Sequence, residues 1–516
     1  MNTVALPSRS RAFSCLFLIE MWERFGFYGM QILLVVFMVQ YLGFEDSRAN
    51  LTWGALAAMI YAVPVIGGWI GDKVLGAKRT TMLGAIVLAL GYGLLSVPWK
   101  LVVAEEWASP LMFFSMGVIA TGNGLFKANP NNLVSRLYEG DPSRLDGAFT
   151  MYYMAINLGA FISQMMTPWI RVTYGWHWAF LTCTVGLLIG IAQFRIQRKL
   201  IAHIGSKPDF APLRRDWLLY VIAGTFVLSI LIAFIIQSVE LAKAIVWMSG
   251  AALLVLFAIL IKRGRRSERS GLIAMLLLTA QTMLFFIFYQ QMSTSLTLFA
   301  LRNVDLDVFG YQIPPEQFQV LNPFWIAVLS PVLAILYARL GSKGRDPSVA
   351  GKYAIGFLLL ALGFFIYGFS GNYAVNGQVS AWWMFWGYLF QSLGELLISG
   401  LGLAMVARYV GPSLRGVMMG AWLLATGISQ YLGSYVANYA SIPADMTNPV
   451  DTLPLYTHLF NVLGWVAIGG TVAAFLMLPL MRKLDASHRD GDGAIGPEHE
   501  TATAMSLLDS TNREVR

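Results

Sequence analysis

The sequence predicts an all-α polytopic membrane protein with fourteen spans, grouped as six plus six around an inserted two-helix hairpin. Three observations lead there. Of the 516 residues 57% are hydrophobic and only 12% charged, with a mean hydropathy of +0.61, whereas a soluble domain carries roughly 25% charged residues. Apolar runs of about 20 residues, the length that crosses a bilayer, recur between charged, Gly or Pro clusters. The basic residues fall almost entirely into alternate loops, as the positive-inside rule requires.

The apolar runs lie near residues 13–40, 49–72, 80–98, 110–130, 147–170, 176–195, 216–237, 242–262, 270–299, 317–340, 352–371, 381–409, 414–440 and 456–482. The first follows Arg9 and Arg11 as a signal peptide would, but it contains Glu20, Glu23 and Arg24 and lacks a small-residue cleavage site, so it is expected to stay as a span. With both termini in the cytoplasm, 29 of the 36 Lys and Arg residues fall on the cytoplasmic side. Arg48, Lys100, Arg171, Lys243 and Arg302 fall on the other side, and Arg24 and Lys127 within spans. Two short spans between the basic loops Arg195–Arg215 and Lys262–Arg269 carry nothing ionisable at mid-span and read as an insertion. The expected division is therefore an N-terminal six-helix bundle (12–195), an inserted pair with basic linkers (196–269), a C-terminal six-helix bundle (270–483) and a polar, disordered cytoplasmic tail (484–516).

The same facts exclude several functions. The net charge of +8 sits in loops flanking spans, which argues against nucleic acid. Cys15 and Cys183 lie far apart in apolar runs and read as packing residues, and none of the five histidines is at mid-span, so no metal site or cofactor is expected. No nucleophile–base–orienter set appears within the spans, which argues against an enzyme. No obligate protein partner is implied; the bilayer is the partner the composition demands.

Five ionisable residues stand inside spans: Glu20, Glu23, Arg24, Lys127 and Glu395. Each costs about 2.5–3.5 kcal/mol on insertion, so such residues mark a transport path, a relay or an ion pair. Three negative and two positive charges leave one carboxylate without a cationic partner, a composition suited to carrying a proton. Glu20 and Arg24 are four residues apart and share a helix face with Phe27, Tyr28 and Gln31. Lys127 lies between Gly122-Asn123-Gly124 and Pro130, small and helix-interrupting residues of the kind found at a gating helix; a snorkelling lysine is the alternative. Glu395 belongs to the second half. A zwitterion fits this split, its carboxylate toward Arg24 and Lys127 and its ammonium toward Glu395. Asn157, Asn322, Tyr28, Tyr61 and Tyr153 supply groups that hydrogen-bond a peptide backbone, although Tyr is also a common interface anchor.

The segment from Glu20 to Gly29, EMWERFGFYG, resembles the first-helix motif E-x-x-E-R-F-x-Y-Y-G of the proton-dependent oligopeptide transporters of the major facilitator superfamily. The resemblance continues through GGWIGDKVLGAKRT (67–80), GNGLFKANPNNLVSRLY (122–138), FTMYYMAINLGA (149–160), QQMSTSLTLFA (290–300), LNPFW (321–325) and SLGELLISGLGLAMV (392–406), covering roughly residues 12–483. It implies the major facilitator fold and a proton-coupled symporter importing di- and tripeptides across the bacterial cytoplasmic (inner) membrane. It further implies proton coupling at Glu20, Glu23, Arg24 and Lys127. Arg24 and Lys127 would meet the substrate carboxylate, Asn157 and Asn322 its backbone and Glu395 its amino terminus, with Tyr28, Tyr61 and Trp422 lining the pocket. Phe27 and Gln31 depart from the pattern, as do Gln290 and Gln291, where many members are acidic; an outer arginine–carboxylate pair between positions 31 and 290 is therefore not expected. The rival readings are a peptide sensor without turnover and a drug:proton antiporter on the same fold.

Overall fold

The computed structural model describes residues 8–343, 348–399, 405–406, 408–411, 414–443, 446 and 448–492. Every predicted span is met by a helix. Helix α1 (Arg9–Val36) starts at Ser8, whose hydroxyl accepts from the Arg11 amide, and runs on through a π-helical turn, Phe37–Tyr41. The second span is two helices, α2 (Asp46–Ala62) and α3 (Pro64–Lys73), because Pro64 has no amide hydrogen to continue the ladder. Helix α4 (Ala77–Leu95) follows Gly76, held at φ 99°, and the short α5 (Trp99–Val102) leads to α6 (Glu105–Leu137). Helix α7 (Pro142–Tyr174) ends at Gly175, whose φ of 97° turns the chain into α8 (Trp176–Ile196).

The inserted pair is α9 (Arg215–Gln237) and α10 (Val239–Arg263). The second half comprises α11 (Arg266–Gln290), α12 (Ser295–Asn303), α13 (Leu321–Ser342), α14 (Val349–Ser370), α15 (Trp382–Ile398), α16 (Arg415–Ala437) and α17 (Pro449–Asp492). Among the described residues ten helical segments are long and apolar enough to cross a membrane.

Three features differ from the expected continuous spans. The ninth span breaks at Gln291–Thr294, and side chains take over the freed carbonyls: Thr294 Oγ1 donates to Gln290 O (2.9 Å), Thr297 Oγ1 to Met292 O (2.7 Å) and Gln291 Nε2 to Ile287 O (3.0 Å). The tenth opens as a 3₁₀ turn, Pro315–Val320. The boundary expected at 483 falls inside α17, which continues to Asp492 because tertiary contacts hold a segment whose polar composition alone would not. Arg408 pairs with Asp485 at 2.7 Å, and Ser270 and Ser487 share a hydrogen bond of 3.0 Å. The rest of the expected disordered tail, 493–516, lies outside the described residues.

In the first half α1 packs against α7 and α8, and α4 against α6; in the second α14 packs against α15 and α17, and α11 against α16 and α17. Between the halves α2 lies along α16. Gly54 leaves room for Ser434 there, since a β-carbon would come within 2.6 Å of Ser434 Cβ. The inserted pair leans on the first half: α9 packs on α6, where the Thr121 and Ser229 hydroxyls meet at 2.7 Å. Its linker is bolted down too. Asp209 accepts from the Lys78 amide at 3.2 Å, and Arg79 Nη2 donates to Ala211 O at 2.7 Å. Its outer faces, with Phe226, Phe234, Trp247 and Leu254 exposed, are apolar.

Gly159 of α7 sits where α1 comes closest, and a β-carbon there would collide with the Met21 carbonyl and stand 3.1 Å from the Phe25 amide and 3.2 Å from Arg24 Cβ. Backbone cannot give way as a flexible side chain can. Gly159→Ala should therefore destabilise by about 1–3 kcal/mol through overpacking, outweighing a gain of about 1 kcal/mol in helix propensity. Thermal unfolding of the purified protein checks this; an unchanged or raised midpoint refutes it.

Candidate substrate and proton-coupling site

One turn of α1 presents Glu20, Glu23 and Arg24 to the interior of the first half, each at most 5% exposed. Arg24 Nε lies 3.2 Å from Glu20 Oε1 and 2.5 Å from Glu23 Oε2, so one guanidinium serves two carboxylates. Neighbouring helices supply the remaining donors. Tyr152 of α7 donates its hydroxyl to the other Glu20 oxygen, and Asn123 Nδ2 of α6 donates to Glu23 Oε1 at 3.2 Å. Lys127, one turn along α6 from Asn123, is directed elsewhere: its Nζ stands 4.0 Å above the Tyr61 ring, a cation–π contact.

Further along α1 the same face reaches a small cavity between the halves. Its walls include Tyr28 from α1, Tyr153 and Asn157 from α7, Tyr289 from α11, Asn322 from α13 and Glu395 from α15. Glu395 is buried, accepts from Asn322 Nδ2 at 2.6 Å, and forms no ion pair with a described residue. Asn322 Nδ2 also donates to Ser392 Oγ at 3.1 Å. Asn157, also on the wall, donates through Nδ2 to its own helix, at Tyr153 O (2.9 Å).

The cavity thus collects four of the eight residues expected to bind substrate: Tyr28, Asn157, Asn322 and Glu395. Arg24, Tyr61, Lys127 and Trp422 lie outside its lining. Arg24 is held by the two glutamates one turn before Tyr28, Tyr61 lies beneath Lys127, and Trp422 packs edge-on against Phe286 with ring centroids 6.5 Å apart.

Beyond the cavity, away from the Arg9 end of α1, the halves are clasped together. Arg171 of α7 meets Glu316 with both prongs, Nε to Oε1 at 2.7 Å and Nη2 to Oε2 at 2.8 Å. Arg302 of α12 meets Asp46 of α2 likewise at 2.7 and 2.8 Å, and also donates to the Tyr456 hydroxyl at 2.7 Å. Bidentate arginine–carboxylate pairs are among the stronger and more directional contacts a protein makes. Asn50 Nδ2 adds a bond to Asn438 Oδ1 at 3.1 Å, and Gln31 Nε2 one to Ser293 Oγ at 3.0 Å. Gln290 turns into its own half to donate to Ser434 Oγ at 3.0 Å.

Sequence reasoning did not single out Tyr152, Gln164, Gln319 or the two clasps. Tyr152 follows from the spacing, since it stands one position before Tyr153 and so faces α1 rather than the cavity. The clasps join residues 145 and 256 positions apart, and no local pattern signals them.

The sequence model of the POT family matches residues 78–452. The chain is 42% identical to dipeptide and tripeptide permease B of Salmonella typhimurium, covering 94% of this chain and 98% of that one. It is 40% identical to dipeptide and tripeptide permease B of Aliivibrio fischeri, over 96% and 99% respectively. Among solved structures it is similar to tetrameric PepTSo2, with a TM-score of 0.83 and 50% identity over 92% of this chain and all of that one. A bacterial homologue of the human drug peptide transporters PepT1 and PepT2 gives a TM-score of 0.83 at 52% identity, again over 92% of this chain and 100% of that one. With three quarters of its length matched by the family's pattern and its helices superposing on those structures, the chain belongs to the POT family.

Proposed function

We propose that the protein is a proton-coupled symporter that imports di- and tripeptides across the bacterial inner membrane, both termini being cytoplasmic. The observation that carries this reading is Glu395: a buried carboxylate on the wall of a cavity between the halves, supplied with an amide partner but, among the described residues, no cation. A peptide ammonium completes it. Asn157, Asn322, Tyr28 and Tyr61 serve the peptide backbone, Arg24 and Lys127 its carboxylate, and Trp422 backs the pocket. The clasps close the cavity on the side facing away from the termini.

Transport then consists of the N-terminal bundle (12–195) rocking against the C-terminal bundle (270–483). Protons enter at Glu20, Glu23, Arg24 and Lys127. One guanidinium divided between two carboxylates leaves a net negative charge, so a proton on either glutamate neutralises the cluster and releases one side of the guanidinium toward the substrate carboxylate. Each positive charge carried inward contributes about 2.3 kcal/mol per 100 mV of membrane potential. The residues in the spans supply protons and hydrogen bonds only, and the reading requires no cofactor.

Three expected outcomes test these assignments. In proteoliposomes, Glu23→Gln and Lys127→Ala should each abolish gradient-driven accumulation of labelled dialanine; counterflow retained in either variant identifies a coupling role at that position, and driven uptake unchanged in Glu23→Gln refutes it. Charge-assisted hydrogen bonds contribute roughly 1.5–3 kcal/mol, so Glu395→Gln should weaken ordinary peptides by about 10- to 150-fold and leave an N-acetylated dipeptide nearly indifferent. Equal losses for both ligands would make Glu395 structural. Removing Arg171 leaves Glu316 buried without its cation, a strongly unfavourable state, so Arg171→Ala should favour separation of the halves. A cysteine at position 293 should then react with an impermeant maleimide from outside at least about tenfold faster, and the exchange Arg171→Glu with Glu316→Arg should restore protection. Identical labelling rates in all three proteins would show that the pair does not close the outer side.

A further inference from the structure

The end of the cavity nearest the clasps is lined differently from the end at Glu395. Gln31, Gln164, Ser293 and Gln319 converge there from α1, α7 and the two breaks in the second half, and none carries a charge. Three of them satisfy one another. Gln31 Nε2 donates to Ser293 Oγ at 3.0 Å, Ser293 Oγ donates to Gln319 Oε1 at 3.3 Å, and Gln319 Nε2 donates to Thr297 Oγ1 at 2.9 Å. Gln164 is left out of this chain. It is 4% exposed, its Oε1 has no hydrogen-bond partner among the described residues, and it lines the cavity. A buried amide in that state calls for a donor from whatever fills the space. The nearest charged groups further along α7, Arg171 and its partner Glu316, saturate each other with two hydrogen bonds, so they offer nothing to an incoming charge.

We propose that Gln164 is the centre of a side-chain subsite that selects substrate residues bearing a neutral hydrogen-bonding group, above all the carboxamides of Gln and Asn. The proposal rests on the peptide-transport reading and names part of its substrate preference. Gln164 stands seven residues beyond Asn157 on the same face of α7, about 10 Å along the helix axis. A peptide whose backbone is held at Asn157 and Asn322 therefore meets Gln164 with a side chain rather than with its main chain. A carboxamide satisfies the free amide reciprocally, one donor and one acceptor each. An apolar side chain of equal length leaves Gln164 unpaired, and a carboxylate or ammonium loses its hydration where no countercharge is available.

The test is competition against labelled dialanine uptake by the purified protein in liposomes, with Ala-Gln and Gln-Ala compared with the Met and Glu peptides of the same order. In one of the two orders the Gln peptide should inhibit at roughly tenfold lower concentration than its Met counterpart, and the Glu peptide should be weakest. Within Gln164→Met that ratio should fall to about one, and within Gln164→Glu the preference should move to the Lys peptide of the same order. Equal inhibition by Gln and Met peptides in both orders of the wild type overturns the proposal, whether or not the variants assemble. So does a ratio that survives Gln164→Met. Failure of the wild type to take up dialanine at all strikes the transport reading instead, which keeps the two failures apart.

Discussion

The sharing of one guanidinium between two carboxylates, all buried in the first half, is the constraint around which the rest of the molecule is arranged. Charges at that depth persist only when they are paired and hydrogen-bonded. Arg24 cannot neutralise Glu20 and Glu23 together, so α6 and α7 each contribute a neutral donor, Asn123 and Tyr152. That requirement fixes which faces of α6 and α7 turn toward α1. It also explains the glycine at position 159, which lets the α7 backbone approach the α1 turn carrying the charges. The close approach in turn sets the opposite α7 face, with Tyr153 and Asn157, against the space between the halves.

Much of this was legible in the sequence because a bilayer makes buried charge rare and therefore informative. Each of the fourteen apolar runs falls on helix, and Glu20, Glu23, Arg24, Lys127 and Glu395 stood out as the ionisable residues within them. The grouping of Glu20, Glu23 and Arg24 followed from helical spacing alone. What hydropathy could not show were the breaks at Pro64 and Gln291–Thr294, since an interrupted helix has the same composition as a continuous one and its freed carbonyls are repaired by nearby Ser, Thr and Gln side chains. Asn322 beside Glu395, and the clasps, are tertiary pairings between distant segments. Arg171 and Arg302 were visible among the few basic residues on the outer side, but no local pattern ties them to Glu316 and Asp46.

The inserted pair is secured unevenly. Asp209 and Arg79 fix its leading linker to the first turn of α4, and Thr121 meets Ser229 along α9, so α9 is tied to the first half. Helix α10 meets the second half at α11 and α16, where the Tyr431 hydroxyl reaches Val239 O at 3.5 Å. An element bolted to one body and resting on another slides when the two bodies rotate. Its apolar outer face suits that position, because lipid tails are indifferent to small displacements of a greasy helix.

The two clasps have opposite polarity. The first half contributes a cation at Arg171 and an anion at Asp46, while the second contributes an anion at Glu316 and a cation at Arg302. When the halves part, the clasps leave one charge of either sign on each rim and so add no net charge to either. An entrance balanced in this way exerts little net field on an approaching solute, so acidic, basic and neutral molecules encounter it on nearly equal terms. Discrimination by charge is thereby postponed to the interior, where, on the proposed reading, Glu395 and Arg24 meet the ends common to every unmodified peptide.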